Sequence, residues 1–103
     1  MDAFGLRDPD ALASVIKRYP QVEAILCGHV HRCVEVRFAG TIASIAPSTA
    51  HQIALDLDVE APGRFVMEPP AYRLHAYSPD TGVVSHTAYV GAFAGPFSFR
   101  ESA

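Results

Sequence analysis

The sequence has two cysteines, Cys27 and Cys33, in 103 residues. That is too few for the disulfide framework of a secreted domain of this size. No apolar run approaches the ~20 residues needed to cross a bilayer. The start, Met1 to Asp8, lacks the basic residues and long apolar stretch of a signal peptide. There is also no Lys/Arg run. The formal net charge is −3, and Arg18, Arg32 and Arg37 are scattered, so the footprint of a nucleic-acid binder is missing. The six Phe and four Tyr therefore have no basic groove to line. The expectation is a soluble cytoplasmic protein, with neither nucleic acid nor membrane as partner.

What is present can fill a core. Half of the residues are hydrophobic and 18% are charged, which argues against disorder. The length suits one domain or a piece of a larger one. So short a chain buries a small share of its surface, and pairing with another chain would help it.

The spacing predicts a helix over residues 8–19. Asp8 is an N-cap and Pro9 suits the first helical position. Leu12, Val15, Ile16 and Tyr19 form one apolar stripe, Lys17 and Arg18 suit the last turn, and Pro20 ends the helix. Val22 to Cys27 reads as a short buried strand, with Cys27 a small core residue. Val34–Phe38, the Ala39-Gly40 turn and Thr41–Ile45 read as a β-hairpin. Gln52 to Leu57 reads as a strand and Val59 to Pro70 as a loop. A second hairpin joins Tyr72–Tyr77 to Val83–Val90 through a turn at 78–82. The tail, Gly91 to Phe99, is apolar enough to pack on something. One helix with mostly antiparallel strands leaves a sheet face or edge uncovered, which suggests missing layers.

Gly28-His29-Val30-His31 carries the chemistry. It follows a strand, at the carboxyl end where α/β proteins place their sites. On an extended segment His29 and His31 point to one side. Two imidazoles suit Zn, Fe, Mn or Co, yet they do not close a site that needs about four ligands. Cys27, His29, His31 and Cys33 share a parity, but same-face residues about 6.5–7 Å apart cannot wrap one zinc without a sharp bend. Arg32 faces either a phosphate or solvent. His51 is a candidate neighbour of the site. His75 and His86 face each other or solvent. Asp56 and Asp58 read as solvated carboxylates. The chain contains no Asp-x-His, no Asn-His, no Gly-rich phosphate loop and no Ser/His/Asp arrangement.

Cys27-Gly28-His29-Val30-His31 resembles the last metal motif, Gly-His-x-His, of the calcineurin-like metallophosphoesterases. The chain is more closely similar to the bacterial branch of class III cyclic-nucleotide phosphodiesterases and glycerophosphodiesterases. Met1-Asp2 resembles the segment after that family's His-His-Pro-Pro motif. The helix and Tyr19-Pro20, leading to Ile25-Leu26-Cys27-Gly28-His29, match its final helix–strand unit. Ala46-Pro47-Ser48-Thr49-Ala50-His51-Gln52 and Gly95-Pro96-Phe97 resemble its later signatures.

The resemblance implies the C-terminal part of an α/β fold, a four-layer αββα sandwich, present here as an α+β piece of one helix and mostly antiparallel hairpins. Residues 1–58 would belong to the core, and 59–103 to a capping or subunit-contact region. It implies a hydrolase with a dinuclear centre of Fe, Mn, Zn or Co, in which His29 binds one metal and His31 the other. Two-metal chemistry clamps the phosphodiester oxygens. Arg32 and His51 would stand on the substrate side, toward a small phosphodiester such as a cyclic nucleotide or a glycerophosphodiester. The family's other metal motifs are absent, so the isolated chain is expected to be inactive. Its uncovered face, with Phe93, Phe97 and Phe99, should favour a dimer. The alternative is a non-catalytic, self-associating module with a vestigial His pair.

Overall fold

The computed structural model describes residues 6–100. Met1 and Asp2, which carry part of the resemblance, lie outside the described residues. Helix α1 (Pro9–Lys17) starts as its sequence dictates. The Asp8 carboxylate accepts from the Ala11 amide at 3.0 Å, and Pro9 follows as the first helical residue. The helix stops at Lys17, before the expected Tyr19. The Arg18 and Tyr19 amides bond to Val15 and Ile16 carbonyls at 3.1 and 2.9 Å, a tightened last turn.

Three strands form a mixed sheet in the order β1-β3-β2. Strand β1 (Ile25–Cys27) is shorter than the expected Val22–Cys27. The Val22 amide is committed to the Tyr19 carbonyl at 3.0 Å, which keeps the chain in a turn. Leu26 and Cys27 are exposed, which corrects the expectation that Cys27 is a core residue. It ends an edge strand, where no further strand covers it among the described residues. The expected hairpin of β2 (Val34–Phe38) and β3 (Thr41–Ile45) forms, with Phe38 paired to Thr41 and Val34 to Ile45. Its turn residues, Ala39 and Gly40, have φ of 51° and 82°, the left-handed pair whose twist suits a two-residue hairpin.

Strand β4 is Gln52–Ile53 alone, not Gln52–Leu57. Beyond it the Asp56 carboxylate accepts from the Asp58 amide at 3.0 Å, and Asp58 from Glu60 at 2.9 Å. These local bonds take the backbone out of the ladder. The segment expected to be loop contains β5 (Phe65–Val66), antiparallel to β4. The second hairpin, β6 (Ala71–Ser78) and β7 (Gly82–Tyr89), is fully laddered. His75 and His86 do not face each other, because their register partners are Ser85 and Leu74. The His75 Nδ1 lies 2.7 Å from the Ser85 hydroxyl. The tail Gly91–Phe99 is exposed throughout. Phe93 sets its ring edge-on to Tyr89 at 6.5 Å.

The second hairpin meets the first sheet through a polar seam. The Arg73 guanidinium donates to Thr87 at 2.8 Å and to the Cys33 sulfur at 3.2 Å, and reaches Glu35 at 3.5 Å. Glu23 accepts from the Val83 amide at 2.8 Å. Among the described residues, Ala71 is the only buried hydrophobic residue. The radius of gyration is 17.4 Å, against roughly 13 Å for a compact domain of this length. The molecule is a slab 18 Å thick, with its apolar faces open.

Candidate functional site

Strands β1 and β3 run parallel, pairing Cys27 with Ile45. Their carboxyl ends therefore lie side by side. The Ala46 amide continues the pairing, donating to the Cys27 carbonyl at 2.9 Å. Two loops leave from this one end, residues 28–33 after β1 and residues 46–51 after β3. The first carries His29 and His31, the second His51.

The first loop is not extended. His29 has φ of 79° and His31 φ of 56°. The same-side geometry expected of a flat His-x-His segment therefore does not apply. Two non-glycine residues in the left-handed region cost about 1–3 kcal/mol each, and such backbone persists only where its surroundings hold it. The holding contacts are visible. The Ile53 amide donates to the His31 carbonyl at 3.1 Å. The Arg32 Nη1 donates to the Ile53 carbonyl at 2.7 Å and to the Glu68 carboxylate at 2.8 Å.

The fold brings His31 and His51 together, with ring centroids 4.9 Å apart. The Phe65 ring of β5 meets His51 edge-on, with centroids 5.1 Å apart. The His31 Nδ1 is buried and has no hydrogen-bond partner among the described residues. His29 is exposed. The second loop is braced by Gln52, which is 4% exposed. Its Oε1 accepts from the Ser48 amide at 2.9 Å, and its Nε2 donates to the Ser48 carbonyl at 2.8 Å and the Pro69 carbonyl at 3.4 Å. The Ser48 hydroxyl caps the turn by accepting from the Ala50 amide at 2.9 Å.

An imidazole nitrogen buried without a partner suits a ligating or proton-exchanging role. A closed metal centre is another matter. Among the described residues no three His, Cys, Asp or Glu side chains converge, and a stable site needs about four ligands. The residues here fit a share of a centre and not the whole of one. Four residues in and around the site were not singled out from sequence: Phe65, Glu68, Gln52 and Ile53. Only Gln52 had a signal, as the end of the segment from Ala46. Glu68 and Phe65 sat in a stretch read as loop.

No protein-family model matches the chain. It is similar to the probable glycerophosphodiester phosphodiesterase of Arcobacter nitrofigilis, with 43% identity across 87% of this chain and 33% of that protein. It is similar to the 3',5'-cyclic adenosine monophosphate phosphodiesterase of Vibrio vulnificus, with 34% identity across 61% of this chain and 25% of that protein. A glycerophosphodiester phosphodiesterase of Enterobacter lignolyticus is 25% identical across 98% of this chain and 36% of its own length. The chain thus spans between a quarter and about a third of the length of these curated relatives.

Proposed function

We propose that this chain, which belongs to the class III phosphodiesterase branch of the metallophosphoesterase superfamily, forms one wall of a site that hydrolyses small phosphodiesters. The family consists of metal-dependent phosphodiesterases. The observation that carries the reading is the juxtaposition of His31 and His51 at the joint carboxyl end of β1 and β3, with the His31 Nδ1 buried and unpartnered.

In this reading His29 and His31 are two contributed ligands of a dinuclear transition-metal centre of Fe, Mn, Zn or Co. When bound, such a pair supplies positive charge to the phosphodiester oxygens. His51 stands on the substrate side, as a hydrogen-bonding group within reach of the same wall. Arg32, expected beside it, is engaged by Ile53 and Glu68. Residues 1–58 contribute to the catalytic core, and residues 59–103 to capping or subunit contact. The substrate is a cyclic nucleotide or a glycerophosphodiester, and the setting is the cytoplasm.

The test has two arms. The pure 103-residue chain, given Mn²⁺ or Zn²⁺, should not turn over a chromogenic phosphodiester, and measurable metal-dependent turnover would sink the claim that its site is only a share. The reading frame upstream of Met1 should encode Asp-x-His and Asn-His. A frame without them would favour the non-catalytic module.

A second copy is the partner we infer for the open face. The hairpin turns Arg73, Ser85 and Thr87 inward, while Tyr72, Leu74 and Val84 lie on its other face and are exposed. The total accessible surface is 8376 Å², roughly 2,700 Å² above the ~5,700 Å² that scaling gives for a compact monomer of this mass. A standard interface takes about 800 Å² from each partner. A dimer can therefore be supplied from this excess alone. A monomer in light scattering at high concentration would count against it.

A further inference from the structure

The left-handed loop at His29 and His31 needs something to hold it, and the structure shows what does. The Arg32 Nη1 is shared between the Ile53 carbonyl at 2.7 Å and the Glu68 carboxylate at 2.8 Å. The Ile53 amide in turn donates to the His31 carbonyl. Both backbone groups of Ile53 are thus tied to the His31-Arg32 step. Ile53 lies two residues beyond His51, and Glu68 arrives from the strand-to-strand connection after β5. The guanidinium side chain is only 24% exposed, so its charge is held in one place instead of moving through solvent.

We propose that Arg32 and Glu68 are positioning residues: a clamp that fixes the His29–His31 loop against β4 and so sets the His31–His51 ring pair. This deepens the phosphodiesterase reading, in which those imidazoles face metal and substrate. The clamp itself can be tested without either. Free Arg32 would be a natural anion ligand. Held by Glu68, it orients the groups that face the substrate.

The experiment uses the full 103-residue chain and follows the imidazole ring protons by NMR. Rings 4.9 Å apart give a nuclear Overhauser contact between His31 and His51. Arg32→Ala should abolish that contact while the Val34–Ile45 hairpin amides keep their shifts. Arg32→Lys should restore it, since an ammonium can still donate to the carbonyl and pair with Glu68. An intact contact in Arg32→Ala would overturn the proposal. Should Arg32→Ala disturb the hairpin as well, Glu68→Ala, which removes the acceptor for Arg32, decides: loss of the ring contact supports the clamp, and persistence overturns it. These readouts involve no metal or phosphodiester. The clamp can therefore stand if the phosphodiesterase reading fails, and fail if it stands.

Discussion

Gln52 is the residue whose loss should be felt most for its size. It is 4% exposed, and its amide ties the loop bearing His51 to the start of β6. Truncation to Ala removes the acceptor for the Ser48 amide and both donations from Nε2. The Ser48 carbonyl keeps a second partner, the Ala71 amide at 2.9 Å, so it is not orphaned. The Ser48 amide is left unpaired. One unpaired donor costs about 1–3 kcal/mol, and the net worth of the lost donations adds about 0.5–1.5 kcal/mol. The expected loss is therefore roughly 2–4 kcal/mol, a large share of the ~5–15 kcal/mol available to ordinary domains. Gln52→Glu sharpens the test. It keeps the shape and the acceptor, but turns the donating end into a second acceptor facing two carbonyls. At neutral pH it should destabilise at least as much as Ala. The assay is urea unfolding followed by circular dichroism, with the slope checked for constancy. A loss below about 0.5 kcal/mol in Gln52→Ala, or a Glu variant more stable than the Ala variant, would refute the reasoning.

Other outcomes follow from single contacts. Ala39→Asn places a residue tolerant of φ of 51° in the first hairpin turn and should add up to about 1 kcal/mol. Gly40→Ala, at φ of 82°, should cost about 1 kcal/mol or more; thermal melts read both. Asp8→Ala removes the helix cap and should cost about 1 kcal/mol, seen as faster exchange of the Ala11 amide. Leu74→Lys charges the outer face of the second hairpin, where Leu74 is 59% exposed. It should shift the light-scattering molar mass toward monomer while leaving the circular dichroism spectrum unchanged.

Much of the local structure was legible in the residues themselves. Asp8-Pro9 marks a helix start, Ala39-Gly40 a tight turn, and Ser78 to Gly82 a second one, because caps and turns depend on side chains a few positions apart. The same locality explains why two strands are shorter than their apolar runs. Val22 to Ala24 and Ala54 to Leu57 are apolar enough for strands, yet neighbouring amides are claimed by Tyr19, Asp56 and Asp58. Cys27 looked like core because apolar runs usually are, but burial requires a covering layer, which no run of residues can supply for itself.

The family resemblance carried by Gly28-His29-Val30-His31 is legible in the sequence alone. Three things waited for the tertiary structure. Parallel pairing of β1 with β3 puts two loops at one end, so residues 20 apart in sequence share a wall. Positive φ at both histidines replaces the flat geometry that alternation assumes. Arg32 is claimed by Glu68, 36 positions away. Residue type and spacing determine what a side chain can do and which local turn it prefers. Which distant partner it meets depends on strand direction and loop closure, and those are properties of the whole folded chain.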